Sequence, residues 1–172
     1  MTYNLILGNI LSFIGTFFLA LSPQQNSKKD IVFYQIFSSA FDALANFTLG
    51  GFSGTIAILA SLTRNILIYK NKCTHTAVII IMIAMIIGSL SVNRHGFIGI
   101  LPIIANLEYT IWLHLGNENA KGVKLSIAIN VLIWAVYDLT ILAIPAFISD
   151  IVIFALTLYG IHKSPEDNKK AV

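Results

Sequence analysis

KKDIVFYQIFSSAFDALANFTLGGFSGTIAILASLTRNILIYKNK, residues 28–72, decides the fold. Two apolar runs of helical length meet at Gly50-Gly51, with Lys28 and Lys29 before them and Lys70 and Lys72 after. An apolar helix of about 20 residues crosses the roughly 30 Å hydrocarbon layer of a bilayer. In chains that cross repeatedly, Lys and Arg collect in the cytoplasmic loops. The stretch therefore reads as a helical hairpin that begins and ends in the cytoplasm and turns outside at the glycines.

The same rhythm runs along the whole chain. Nine of the eleven basic residues fall in four polar breaks, marked by Lys28 and Lys29, Lys70 and Lys72, Lys121 and Lys124, and Lys163, Lys169 and Lys170. The breaks between them, at 50–54 and 142–145, carry no Lys or Arg, and the one at 93–95 carries only Arg94. This predicts seven transmembrane spans at 5–21, 31–49, 52–69, 77–92, 97–115, 123–142 and 145–161. The amino terminus is expected outside and the carboxyl terminus in the cytoplasm. At 1.5 Å per residue the spans reach roughly 24 to 30 Å, enough to cross with little tilt.

Composition agrees. The chain is 56% hydrophobic and 11% charged, against roughly 25% charged in soluble domains. A net charge of +3 spread over loop ends is a topology signal and excludes a phosphate-binding stripe, so no nucleic-acid partner is expected. The single cysteine, Cys73, excludes a disulfide framework. The first run lacks a basic flank and a small-residue cleavage site, so it reads as a retained helix rather than a signal peptide.

An internal repeat is expected from a shift of 92 residues, which lays spans two and three on six and seven. Ser38, Asp42 and Asn46 then meet Asn130, Trp134 and Asp138, and both trios run i, i+4, i+8 along one helical face. With a shift of 94, Ser12 meets Asn106 and Gly8 meets Pro102. The fourth span has no counterpart and no charge. The fold class is therefore all-α integral membrane: seven transmembrane helices as two parallel three-helix bundles joined by a linker helix. Its units are 1–72, the linker at 73–95 with its loops, 96–163, and a disordered cytoplasmic tail at 164–172.

The arm from Gly8 to Phe18 with its lysine-bearing loop, Ile56-Ala57-Ile58-Leu59 with Arg64, Leu101-Pro102-Ile103, Trp112, and Trp134 through Asp138 resemble the YgjV-type bacterial inner-membrane proteins. The resemblance covers nearly the whole chain and implies a multi-pass protein of the bacterial inner membrane. The 3+1+3 plan is similar to that of SWEET sugar transporters, PQ-loop proteins and PnuC-type transporters. SWEETs carry prolines in the first and second helices of each bundle, whereas here only Pro102 falls within such a helix; Pro23-Gln24 lies in a loop.

Chemistry rests on ionisable residues inside the spans: Asp42, Arg64, Glu108, Asp138 and Asp150. Each costs about 2.5–3.5 kcal/mol at a helix centre, so each is expected to face the bundle interior or water. Arg64 and Glu108 lie at similar depth, roughly 8 to 11 Å from the cytoplasmic end, and are candidates for an intramembrane ion pair. Arg94 and His95 are placed to meet Asp138 and Asp150. Asp42, Asn46, Asn130, Trp134 and Asp138 are the candidate substrate-binding or coupling residues. The stripe Ser53, Ala57, Ser61, Asn65 reads as a close-approach face. The four histidines show no metal-ligand spacing, and no HExxH, GxSxG, Walker or CxxC motif occurs. No catalytic residue, metal or cofactor is expected.

Two readings follow. The first is a transporter or facilitator of a small polar solute, with a central site between two three-helix repeats and hinges at Gly15, Pro102 or Gly50-Gly51. The excess of acidic groups favours a cationic or polyhydroxy solute, or proton coupling, over an anion. The second is a non-transporting membrane protein, an assembly partner, receptor or accessory subunit, whose polar residues only join helices. The expected partners are the lipid bilayer, an unknown small solute and a further copy of the chain.

Overall fold

The computed structural model describes residues 2–115 and 120–162; the expected tail at 164–172 lies outside them. Within the described residues the chain is all helical: α1 Thr2–Leu21, α2 Lys28–Leu49, α3 Phe52–Tyr69, α4 His75–Ser91, α5 Leu101–Leu115, α6 Ala120–Thr140 and α7 Ile144–His162. Short 3-10 turns at Ser22–Gln24 and Ile98–Ile100 follow α1 and precede α5.

Local chemistry sets the boundaries. Ser27 caps α2 by accepting the Asp30 N–H at 3.1 Å, and its hydroxyl donates to the Asp30 carboxylate at 2.6 Å. Thr74 caps α4 in the same way through Ala77. Gly50, at φ +83, ends α2 in the left-handed region that glycine enters without strain. Only Gly51 then separates Gly50 from α3. Pro102 is the second residue of α5, where its missing N–H is harmless. It starts that helix rather than bending it, which removes Pro102 as a mid-helix hinge.

Among the described residues, four helical stretches are long and apolar enough to cross a membrane: Tyr3–Gln24, Phe52–Tyr69, Lys121–Thr140 and Ile144–His162. His75–Ser91 and Ile98–His114 are shorter apolar helices. α2 has the length, 22 residues, but carries Gln35, Ser38, Ser39, Asp42 and Asn46 along it.

Successive helices run in opposite directions. At one end, here the lysine end, the Lys29 ammonium lies 5.2 Å over the Tyr69 ring and His75 meets His114. At the other, the glycine end, Tyr137 near the end of α6 meets Gly54 at the start of α3. The packing order forms a ring: α1 against α2, α2 against α3, α3 against α5, α5 against α6, α6 against α7, and α7 back against α1. α4 lies outside it, against α3 and α5.

Polarity is inverted relative to a soluble protein. Arg64, Asn65, Asn106, Asp138 and Asp150 are buried, while Phe13, Phe17, Phe47, Ile79, Ile80, Ile83, Ile87, Ile148 and Val152 are exposed. Apolar surface on that scale needs an apolar solvent. Two apolar clusters hold the ring. Ile31, Val32, Leu113, Val123, Ile127 and Ile153 pack near the lysine end, and Tyr137, Ile141, Ala143 and Ala146 near the glycine end. A polar cavity lies within the ring.

Candidate functional site

The cavity has a volume of about 100 Å³ and takes its walls from α1, α2, α3, α5, α6 and α7. Asp42, Asn46, Asn130, Trp134 and Asp138 all line it, together with Asp150. Helical phase explains the convergence: Asp42 and Asn46 share one face of α2, and Asn130, Trp134 and Asp138 share one face of α6. α2 and α6 stand in the middle of their runs around the ring, so those faces meet across its centre.

Asp42 accepts from Ser38 Oγ at 2.8 Å, one turn earlier on α2. Gly15 on α1 makes room for its carboxylate, because a Cβ there would overlap Asp42 Oδ1. Asn46 donates to the Asp42 backbone oxygen at 3.1 Å, and its own Oδ1 is buried without a partner. Asp138 on α6 and Asp150 on α7 both line the cavity and interact carboxyl to carboxyl, and Asp150 Oδ2 is buried without a donor. Two carboxyl groups in contact are held together by a shared proton or by a cation, since two bare carboxylates repel.

Towards the lysine end a second set of polar groups crosses between helices. Arg64 is 2% exposed. Its Nε and Nη2 donate to Asn65 Oδ1 at 3.1 and 3.0 Å, and Nη1 donates to Thr110 Oγ1 on α5. Its guanidinium sits 4.9 Å over the Tyr109 ring, and Tyr109 OH donates to Gln35 Oε1 on α2 at 2.8 Å. At the glycine end Tyr137 OH accepts the Gly54 N–H at 3.3 Å and lies 3.5 Å from Ser53 Oγ. Gly51 and Gly54 admit that phenol, because a Cβ at either position would clash with it.

Several expectations are corrected. Arg64 and Glu108 do not form an ion pair: Arg64 turns to Thr110, Tyr109 and Asn65, while Glu108 accepts from Ser126 Oγ on α6 at 2.9 Å. Depth placed them together, but Glu108 leaves α5 towards α6 and Thr110 leaves it towards α3. Arg94 lies 5.0 Å over the Phe52 ring, and His95 packs edge-on to Tyr137. The partner of Asp138 is Asp150 instead. Ser61 and Asn65 are more than a close-approach stripe: both line the cavity, and Ser61 donates to Asn106 Oδ1. Gln35 and Tyr109 were not singled out for the site. Gln35 extends the Ser38–Asp42–Asn46 face by one turn, a spacing visible in the sequence. His75 and His114 bond at 2.7 Å across 39 residues, which no local spacing announces.

Among the described residues no group of three His, Cys, Asp or Glu side chains is placed to hold a metal ion. Partial burial pushes the Cys73 thiol above its ordinary range, against the opposing pull of Arg64 and Lys28. That environment favours the unreactive thiol form.

Residues 6–167 match the family Imp-YgjV, described as bacterial inner membrane protein, and the chain belongs to that family. No curated protein and no solved structure matches it.

Proposed function

We propose that this inner-membrane protein carries a small polar solute across the bilayer through the cavity at the centre of its helix ring. The observation that carries the reading is convergence: Asp42 and Asn46 from α2 and Asn130, Trp134 and Asp138 from α6 line one cavity inside the helix ring. Intramembrane carboxyl groups are expensive and typically mark solute or ion pathways.

In this reading all seven helices cross the membrane, with the lysine end in the cytoplasm and the amino terminus outside. α1–α3 and α5–α7 are two parallel repeats and α4 is the linker, a plan similar to that of SWEET, PQ-loop and PnuC-type carriers. The packing order supports it, because α2 and α6 occupy the same place in their triples and α4 stays outside the ring. Tyr137–Gly54 at one end and Arg64–Thr110 at the other each join α3 to the second half of the chain. Rocking of one triple against the other would break these two links in turn and open the cavity alternately to each side. Gly50, in its positive-φ turn, is the hinge candidate that the backbone retains.

The test is solute flux in proteoliposomes loaded with a panel of small cations, polyols and anions, comparing the parent chain with Asp42→Asn. Saturable flux of at least one solute, reduced about tenfold or more in the variant, is the expected result. Absence of flux across the panel, or flux indifferent to Asp42, removes the carrier reading and leaves the polar residues as helix-joining groups.

A further inference from the structure

Three donors in the wall of the cavity are taken up by backbone oxygens. Asn130 Nδ2 donates to the Ala105 backbone oxygen at 2.7 Å and Asn46 Nδ2 to that of Asp42 at 3.1 Å. Thr16 Oγ1 donates to the Ser12 oxygen at 2.9 Å. Backbone oxygens only accept, so these bonds fix which way each amide points, with its carbonyl oxygen on the other side. Asn46 Oδ1 and Asp150 Oδ2 are then buried with no partner, on residues 6% and 3% exposed. Asn46 Oδ1 lies against Gly51 and Gly54 beside the Tyr137 phenol, residues that do not line the cavity, so Asp150 Oδ2 is the unfilled acceptor on the cavity wall, where a buried oxygen ordinarily finds a donor.

Charge narrows the class of donor. Asp42, Asp138 and Asp150 bring three carboxyl groups to the cavity, against one guanidinium that is already turned to Asn65, Thr110 and Tyr109. Trp134 adds an aromatic wall, set edge-to-face against Tyr137 at 5.6 Å, and aromatic faces attract cations. A neutral polyol would satisfy the acceptors but bring no counter-charge to a carboxylate that is ionised. A quaternary cation would supply charge but no N–H. An N–H-bearing cation meets both the acceptors and the charge.

We infer that the cavity binds a small primary-ammonium solute, its N–H donors meeting Asp42 and the Asp138–Asp150 pair. The inference deepens the carrier reading and rests on it for the claim that the ligand is moved, while binding itself can be measured separately.

The experiment uses the full chain, purified in detergent, with Trp112→Phe as background so that Trp134 reports by fluorescence. The probes are ethanolamine, choline, glycerol, lactate and Na⁺, and each is also assayed for flux in proteoliposomes. Ethanolamine should change the Trp134 signal saturably and bind at least tenfold tighter than choline, glycerol, lactate or Na⁺. Asp42→Asn and Asp150→Asn, checked for unchanged helicity, should each weaken it about tenfold or more. Binding of glycerol, lactate, choline or Na⁺ as tight as that of ethanolamine overturns the inference, as does ethanolamine binding that neither variant alters. Ethanolamine binding without flux keeps the inference and sinks the carrier reading. Lactate or glycerol flux without ethanolamine binding does the reverse, and silence in both assays sinks both.

Discussion

At the lysine end of the cavity, Arg64, Tyr109 and Gln35 draw α2, α3 and α5 together through side-chain bonds between helices, whereas Asn46 and Asp150 towards the glycine end are buried about as deeply and leave oxygens unpaired. Burying a polar group costs free energy that only a partner recovers. The first set recovers it within the protein and therefore holds helices. In the carrier reading the second leaves it open to a solute that enters. The contrast belongs to these residues and not to the two ends as a whole, since Glu108 Oε2, Ser22 Oγ and Thr157 Oγ1 are also buried without partners.

The largest expected effect breaks the satisfied end. Arg64→Ala leaves Asn65 Oδ1 and Thr110 without their donor and empties the space over Tyr109, so it should cost roughly 3 kcal/mol of stability. Unfolding in mixed detergent micelles, followed by circular dichroism, measures it. Arg64→Lys keeps the charge but loses the planar fork and should recover only part of the loss. If Arg64→Ala unfolds no more readily than Asp150→Asn, the contrast between the two sets is wrong.

Next comes Gly15→Val, which drives a side chain into the position of the Asp42 carboxylate. Overpacking of this kind costs about 1–3 kcal/mol, so the ring should fold with normal helicity and lower stability. Any flux that depends on Asp42 should fall by about tenfold or more, because the carboxylate must leave its place. Gly15→Ala should give the same signs with smaller amplitude. Flux unchanged in Gly15→Val would separate Asp42 from the pathway.

The two ends also differ in how far the sequence announces them. α3 matches the expected 52–69 because a glycine turn and a lysine break mark its ends. The five cavity residues fall together because spacing by four keeps side chains on one face, and two such faces belong to helices in equivalent places in the ring. Direction around a helix axis is what depth alone omits. Adjacent residues on a helix point about 100° apart, so Glu108 and Thr110 leave α5 for different neighbours although both sit at the height of Arg64. The Arg64 link needed knowledge of which helix lies beside α5, and that is tertiary information. Similarly, the polarity of Asp138 and Asp150 is plain in the sequence, but that they face each other follows only from the α6–α7 packing.

The open end predicts a different sign. Asp150→Asn is close to isosteric and removes a carboxyl from a site where carboxyl groups crowd. Stability should change by less than about 1 kcal/mol, with a gain more consistent with the contrast than a loss, since binding sites retain groups that folding alone would not select. Flux of a cationic solute should nevertheless fall by about tenfold or more. A large loss of stability with unaltered flux would make Asp150 a helix-joining residue and erase the difference between the two sets.

The smallest effects compare the two phenols. Tyr109→Phe removes a 2.8 Å bond and strands Gln35, which is 5% exposed, so it should cost roughly 1 to 1.5 kcal/mol. Tyr137→Phe removes longer contacts, 3.3 Å to the Gly54 N–H and 3.5 Å to Ser53 Oγ. The Gly54 N–H lies in the first turn of α3, where amides have no helical acceptor to lose, and a loss of about 0.5 kcal/mol is expected. In the carrier reading these bonds sit at opposite ends of one cavity, so the two variants should shift accessibility in opposite directions. A cysteine at position 39, on the α2 wall, gives the readout through its labelling rate from each side of oriented vesicles. Tyr137→Phe should raise labelling from the glycine end and Tyr109→Phe from the lysine end, each by a few-fold. Equal labelling in both variants would mean that the phenols pack the ring without gating it, and only the stability ranking would remain.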